Sequence, residues 1–318
     1  MLDRGRCQGQ IAGRSETDRS AVWPFIMLSD LAALAAAFSI AVSNLIAPSA
    51  VRQLGPVRFN AIRLAAALLT MLALVTLRGR WAAPPGDQLL MLAASSLLGV
   101  VVADSCFYAA LARLGPRLTA VVYASWAAFA AVLGYFWLGE ALSAIKIMGV
   151  GCIVGGVSVA IIFRQPGTIA QETHGSLRVG LVFGLAAALF AAAAVLIARP
   201  VMAAGLDPAL ATSIRAAIGL AALLTLSAVP GFRNSAAVDR SIVIRSALSG
   251  VLGMGIGMTL VLFALTSRPV GIVSSLSSTT PVMILPLLWW STGRRPAPAA
   301  WLGAVLAVAG VIAITSGV

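Results

Sequence analysis

The chain has 318 residues, of which 60% are hydrophobic and 10% are charged. Soluble domains contain about 25% charged residues, so this composition excludes an ordinary water-soluble fold. The net charge is +12, yet most arginines lie at the ends of apolar segments, where they anchor helices to lipid headgroups, and no basic stripe with interleaved aromatic residues is present. The charge therefore indicates a membrane surface and excludes nucleic acid as a partner.

The apolar segments predict spanning α-helices, because several reach the roughly 18–20 residues that cross a bilayer and none alternates with period two. A polar tail covers residues 1–24, and we expect it to be disordered over residues 1–22. A charged linker at 164–178 separates a first unit at 25–163 from a second at 179–318. The ten predicted helices are Phe25–Ala47, which Pro48 closes, Phe59–Leu77, Leu89–Leu111, Leu118–Leu138, Ala144–Phe163, Val179–Ala198, Pro208–Val229, Ile242–Leu265, Val270–Trp290 and Ala300–Ile314.

The two units are predicted to be homologous repeats. Residues 107–157 align with residues 261–311 at an offset of 154 without a gap, and Arg63 aligns with Arg215 at an offset of 152. Five helices per unit is an odd number, so the second unit enters the membrane from the opposite side. The predicted fold class is therefore an all-α membrane protein whose ten transmembrane helices form two inverted five-helix repeats, an arrangement typical of secondary transporters with a site near the midplane.

Glycine spacing predicts helix–helix seams. Gly151 with Gly155, and Gly253 with Gly257, form GxxxG patterns. Small residues allow close helix approach, so these faces are predicted to pack against other helices rather than to contact a ligand.

Three ionisable residues lie inside the predicted membrane spans. Arg63 and Arg215 occupy matching places in the second and seventh helices, where a charge costs several kcal/mol unless it meets a partner or water. Asp104 is the deepest acid, with Tyr108 four residues on, and its repeat counterpart is Met258. Two roles stay open for Asp104. It either couples transport to protons or binds a cationic substrate group, or it forms a structural ion pair with Arg63, in which case the proton role disappears.

One tryptophan is predicted to lie mid-helix, away from the membrane interfaces. Trp126 follows Tyr123 by three residues, which places both on one helix face, and their counterparts are Ser277 and Thr280. Pro281 comes next, and a proline inside a spanning helix frees backbone carbonyls, which is tolerated beside protein or a cavity. These residues are predicted either to line a cavity or to pack between helices.

The remaining polar residues and cysteines give only weak indications of a functional site. Asn44 and Asn60 are weaker candidates near helix ends, and the cysteines have no metal-site spacing. No GxxxxGK[ST] loop and no nucleophile with a buried base is present, so the sequence predicts no enzyme, cofactor or metal. The candidate substrate-binding or cavity-lining residues are Asp104, Tyr108, Tyr123, Trp126, Arg63, Arg215, Asn44, Ser277, Thr280 and Pro281.

These features resemble the drug/metabolite transporter superfamily, specifically its ten-helix EamA-type branch. The resemblance is carried by the arginine followed by alanine and leucine in the second and seventh helices (Arg63-Leu64-Ala65-Ala66, Arg215-Ala216-Ala217), by the segment 107–111 (FYAAL) and by the segment 138–142 (LGEAL) with the glycines after it. It implies a multi-pass protein of a bacterial-type inner membrane that exports amino acids, metabolites or drugs. It also implies a central cavity lined by helices one to four and six to nine.

The sequence leaves the substrate, the coupling ion and the orientation open. A lipid-handling flippase of the same superfamily and a non-transporting membrane scaffold are the alternatives. Protons are a candidate coupling ion, and a small molecule and the lipid bilayer are the expected partners. Loop charges do not decide the orientation. The arginine-bearing tail and the resemblance favour cytoplasmic positions for both termini.

Overall fold

The computed structural model describes residues 16–138, 143–162, 176–228, 239–267, 273, 276–277, 279–293 and 295–316, and this part of the chain contains helices and no strand. The α-helices are α1 (Glu16–Leu54), α2 (Pro56–Arg78), α3 (Gly86–Ser96), α4 (Asp104–Tyr123), α5 (Trp126–Leu138), α6 (Ala144–Ile162), α7 (Leu177–Ala203), α8 (Pro208–Ala228), α9 (Arg240–Gly250), α10 (Thr259–Leu265), α11 (Thr280–Thr292) and α12 (Pro298–Ser316). Two π-helical segments, Leu97–Ala103 and Val251–Met258, join α3 to α4 and α9 to α10.

The helices are long and apolar enough for a multi-pass membrane protein. Six helical stretches satisfy both criteria: Met27–Leu54, Pro56–Arg78, Gly86–Tyr123, Leu177–Ala203, Pro208–Ala228 and Arg240–Leu265. Within Gly86–Tyr123 the helix is kinked at Gly115, which has a non-helical backbone with a positive φ of 75° and precedes Pro116. Four further apolar helices are shorter: Trp126–Trp137, Ile147–Gly156, Val282–Ser291 and Pro298–Ala313. The all-helical membrane class is therefore confirmed, whereas the count of ten spans stays a prediction.

The first helix is longer than the sequence predicts. It begins at Glu16, so residues 16–22 are helical rather than part of a disordered tail. It also continues past Pro48 to Leu54, because a proline is tolerated inside an apolar helix when neighbouring groups satisfy the freed backbone. Gly55 ends the helix with a positive φ of 76°, and Pro56 then starts α2, where its missing N–H costs nothing.

The fourth predicted helix is interrupted at Ala124 and Ser125. Tyr123 ends α4 and Trp126 begins α5, so the two aromatic residues flank a break instead of sharing one helix face. Pro281 likewise lies in the first turn of α11 rather than inside a helix. A proline there frees no interior carbonyl, since the first N–H groups of a helix have no partner within it, and the sequence-based argument for Pro281 was wrong.

Contacts between the two repeats are reciprocal. A Cβ added to Gly156 would come 2.6 Å from the carbonyl oxygen of Gly303, and one added to Gly310 would collide with the carbonyl oxygen of Gly149. At the offset of 154, Gly149 corresponds to Gly303 and Gly156 to Gly310, so exchanging the halves exchanges these contacts. The two π-helical segments also begin 154 residues apart.

Of the two GxxxG patterns predicted to pack against another helix, one does so. Gly253 and Gly257 are close to α1, since added Cβ atoms would come 2.6 Å from Ser43 Oγ and 2.8 Å from Ile40 Cγ1. Gly151 and Gly155 have no atom within 4 Å of such a Cβ. On α6 the helix contact therefore runs through Gly156, one residue away from the predicted face.

Candidate functional site

A cavity of about 140 Å³ lies between the two repeats. Its lining comes from α1, α2, α4, α5, α7, α8, α10, α11 and both π-helical segments, and the described residues of α6 and α12 do not contribute to it. Because π-helical turns often occur at functional sites, their position on this cavity supports a role beyond packing. The helices that contribute agree with those that the family resemblance implies.

The cavity lies where the repeats meet, because its lining consists largely of repeat-related pairs. The pairs are Ile40 with Ala191, Ser43 with Ala194, Asn44 with Val195, Arg63 with Arg215, Gly99 with Gly253, Val100 with Met254, Asp104 with Met258, Phe107 with Val261, Tyr123 with Ser277 and Trp126 with Thr280. The first half supplies most of the polar and aromatic members, and the second half mostly small and apolar ones. The cavity is symmetric in position and asymmetric in chemistry.

An ion pair occupies the first-half wall. Arg63 Nη1 lies 2.7 Å from Asp104 Oδ2 and donates to Asn60 Oδ1 at 2.8 Å. Asn60 in turn donates to the Val100 carbonyl at 2.9 Å, which fixes the amide, and the buried Nε of Arg63 has no hydrogen-bond partner in the described part of the chain. Of the two roles that the sequence leaves open for Asp104, this geometry matches the ion pair.

The second arginine has a different environment. Arg215 is 2% exposed, and its Nε and Nη1 atoms have no hydrogen-bond partner within the described residues. Its Nη2 atom lies over Gly99, where an added Cβ would come within 3.0 Å of it. Ser96 Oγ donates to the Arg215 carbonyl at 2.6 Å, so the backbone of α8 is held close to α3 at this level.

Aromatic rings form a continuous wall on one side of the cavity. Tyr123 and Trp126 stack with ring centroids 6.5 Å apart and planes at 14°. Phe107 packs edge-on against both Tyr123 and Tyr108, at 4.9 Å and 5.4 Å. The Tyr108 ring also lies 5.1 Å from the Arg63 guanidinium carbon, so it shields the ion pair by a cation–π contact.

The remaining predicted residues also have defined places. Asn44, Ser277 and Thr280 line the cavity, and Ser277 Oγ is buried without a hydrogen-bond partner among the residues described. Thr280 Oγ1 donates to the Ser277 carbonyl at 2.7 Å and so caps the break before α11. The side chain of Pro281 lies outside the described part of the structure. The structure brings the other nine candidates to one cavity.

Sequence reasoning undervalued two residues that position the arginines of the cavity. Asn60 was a weak candidate, yet it orients Arg63 from one helical turn away, and an asparagine three residues before a buried arginine was the available signal. Gly99 makes room for Arg215, and no sequence pattern indicated it.

A larger cleft of about 1140 Å³ opens at one end of the bundle. Its lining includes Arg78, Arg80 and residues 205–209, and it shares no residue with the cavity. A layer of Met71, Thr212 and Thr259 borders the cleft, and Thr259 directly follows Met258, which lines the cavity. Thr259 Oγ1 is 3.1 Å from Thr212 Oγ1 and 3.2 Å from Met71 Sδ, and this contact joins α2, α8 and α10.

The sequence and fold match known proteins. The EamA-like transporter family matches residues 27–162 and 178–316, one match for each repeat. A solved crystal structure has a TM-score of 0.68 and 16% identity over 92% of this chain and 96% of its own, which shows a shared fold. No curated protein sequence matches the chain. Within the described residues, no group of three or more His, Cys, Asp or Glu side chains is placed to hold a metal ion.

Proposed function

The chain belongs to the EamA-like transporter family, and from this membership we propose that it is a secondary active transporter that exports a small solute across a bacterial-type inner membrane. The observation that carries the proposal is the cavity between the repeats, lined by repeat-related pairs. In transporters built from inverted repeats, the substrate site lies at the repeat interface near the midplane. The ten candidate residues, from Asn44 to Pro281, are proposed to serve this site.

Alternating access is proposed to move the two repeats relative to each other. The reciprocal glycine contacts support a pseudo-twofold relation, and the inverted orientation follows from five spans in each repeat. The layer of Met71, Thr212 and Thr259 is proposed to be the closed gate between cavity and cleft. A few hydrogen bonds and a flexible methionine can separate at low cost, as such a gate requires.

The cavity size favours a small solute over the alternatives. Sites for drug-sized ligands have volumes of about 300–1,000 Å³, and the cavity here holds about 140 Å³. A flippase needs a wide path that opens sideways to lipid, whereas this cavity is narrow and is lined by helices of both repeats. A membrane scaffold would not need buried charges on a central cavity, since these cost stability.

Transport is tested directly by counterflow in proteoliposomes. Vesicles with the purified protein are loaded with a mixture of amino acids, short carboxylates and amines, and uptake of each labelled compound is measured without an ion gradient. We expect accelerated exchange of at least one compound over protein-free vesicles. Absence of exchange for the whole panel, with folded protein in the vesicles, would favour the scaffold.

Replacing Trp126 by alanine is expected to reduce transport about tenfold while folded yield stays close to wild type. Trp126 is 7% exposed and stacks on Tyr123 at the cavity wall, so its loss widens the site and weakens contact with the substrate. The control is Trp290→Ala, which removes a tryptophan that is 88% exposed. Lower folded yield with unchanged transport per molecule would show that Trp126 is a packing residue.

Both termini are proposed to be cytoplasmic. Cys7 tests this orientation, although it lies outside the described residues. In intact cells, an impermeant maleimide is expected to leave Cys7 unlabelled and to label it after permeabilisation, in a variant with Cys106 and Cys152 replaced by serine. Labelling of Cys7 in intact cells would reverse the orientation.

A further inference from the structure

The cavity contains a buried cation that forms no direct ion pair within the described part of the chain. Arg215 is 2% exposed, and two of its three nitrogens have no hydrogen-bond partner within the described part of the chain. Arg63, its repeat counterpart, is paired with Asp104 and Asn60. An uncompensated buried guanidinium is costly, so the arrangement around Arg215 is complete only when a further anion is bound.

The repeat relation shows which group is missing. At the offset of 154, Asp104 corresponds to Met258, and at the offset of 152, Asn60 corresponds to Thr212. The Thr212 hydroxyl donates to the Pro208 carbonyl at 2.8 Å, and the Met258 side chain has no oxygen. The second repeat therefore keeps the arginine and lacks both of the acceptors that satisfy Arg63.

We infer that the substrate is a small organic monoanion whose carboxylate occupies, beside Arg215, the place that Asp104 occupies beside Arg63. This inference rests on the proposed transport function. A carboxylate accepts charge-assisted hydrogen bonds from a guanidinium. Nε and Nη1 of Arg215, which lie on different edges of the group, both lack a partner within the described residues. Met258 lines the cavity, so this place is accessible to a bound molecule.

The net charge of the cavity lining favours a substrate with one negative charge. Arg63 and Asp104 neutralise each other, and Arg215 leaves one positive charge among the ionised side chains of the lining that the structure describes. A monoanion makes the closed site neutral, whereas a zwitterion or a cation leaves at least one uncompensated charge in low dielectric.

The rest of the cavity lining favours a substrate that is apolar apart from its carboxylate. Val195, Met254 and Met258 line the cavity together with Arg215, and the stacked rings of Tyr123 and Trp126 belong to the same lining. Ser277 Oγ supplies one buried hydroxyl, which has no partner in the described structure. Short branched or cyclic carboxylates fit this combination.

The test compares three ligands that differ mainly in charge: 4-methylpentanoate (−1), leucine (0) and 3-methylbutylamine (+1). Binding to the purified protein in nanodiscs is measured by calorimetry in chloride-free buffer. We expect 4-methylpentanoate to bind about tenfold or more tightly than leucine, and the amine to bind least, because a charge-assisted pair is gained or lost. Tighter binding of leucine or of the amine would overturn the assignment.

Two variants show whether Arg215 is the binding group. Arg215→Gln is expected to weaken 4-methylpentanoate binding about tenfold or more while raising the Tm of the ligand-free protein, because an unpaired buried charge is removed. Met258→Asp keeps Arg215 and supplies the missing acid, so it is expected to abolish carboxylate binding. The matched control Arg245→Gln removes an exposed arginine and should change neither quantity.

The outcomes separate this inference from the transport proposal. An unchanged Kd in Arg215→Gln, or a lowered Tm with normal binding, would mean that Arg215 is structural and would overturn the inference. Counterflow of an amine or an amino acid that is insensitive to Arg215→Gln would overturn it while leaving transport intact. Arg215-dependent carboxylate binding without counterflow would keep the inference and reject transport.

Discussion

Arg63→Gln is expected to lower the stability of the protein by about 3 kcal/mol, because removing one partner of a buried ion pair leaves the other charge uncompensated. Asp104 would remain in the bundle with a side chain only 23% exposed, and Asn60 would lose the donor that orients it. Asp104→Asn is expected to have a similar effect, since Arg63 and Arg215 would then both be uncompensated. Thermal unfolding in detergent, with folded yield from size-exclusion chromatography, measures both changes.

The double variant Arg63→Gln/Asp104→Asn tests whether the loss of stability in the single variants comes from breaking the ion pair. If the pair is structural, the double variant should recover most of the stability lost in either single variant, because neither member of the pair is left as an unpaired charge and an amide pair of similar shape replaces the ion pair. A double variant as unstable as the sum of the two singles would show that the pair is not the source of the effect.

Proton coupling through Asp104 stays a prediction of the sequence, and the same variants test it. Coupling predicts that Asp104→Asn loses transport driven by a pH gradient while exchange at equal pH survives. The ion pair predicts that both activities fall together with folded yield and return together in the double variant. Gradient-driven transport that persists in the folded double variant would exclude Asp104 as the proton carrier.

The sequence predicted the fold well because the dominant constraint in a bilayer is simple. Backbone groups must be satisfied internally, so each long apolar segment becomes a helix. The same rule does not fix the details of each helix. The π-helical segments and the break at residues 124–125 depend on packing between helices, and single-helix periodicity contains no signal for them.

The candidate site was predictable at positions where a charged or polar side chain in the membrane has a high free-energy cost. Arg63, Asp104 and Arg215 were found because buried charges in apolar segments are rare, and Trp126 because it lies away from an interface. Their arrangement could not be predicted. The pairing of Arg63 with Asp104 depends on contact between α2 and α4. The second repeat lacks the acceptors that surround Arg63, and this difference around Arg215 follows only from comparing the two repeats in space.

Gly156→Ala is expected to destabilise the protein by about 1–3 kcal/mol, because the added methyl group overpacks a close helix contact. Its Cβ would come 2.6 Å from the Gly303 carbonyl oxygen and 2.7 Å from the Ala307 backbone nitrogen. Backbone atoms cannot turn aside as a flexible side chain can, so α6 and α12 would have to separate. Gly310→Ala is expected to act in the same way through Gly149, its reciprocal contact.

The neighbouring residue on the same helix provides the matched control. A Cβ at Gly155 would meet no atom within 4 Å, so Gly155→Ala should be neutral or slightly stabilising, since alanine favours a helix more than glycine does. Because the described residues of α6 and α12 do not contribute to the cavity lining, Gly156→Ala is expected to lower Tm while ligand affinity in the folded fraction stays constant. Equal Tm changes for Gly155→Ala and Gly156→Ala would mean that α6 and α12 do not meet through Gly156. A loss of affinity without a loss of stability would instead place this contact in the binding site.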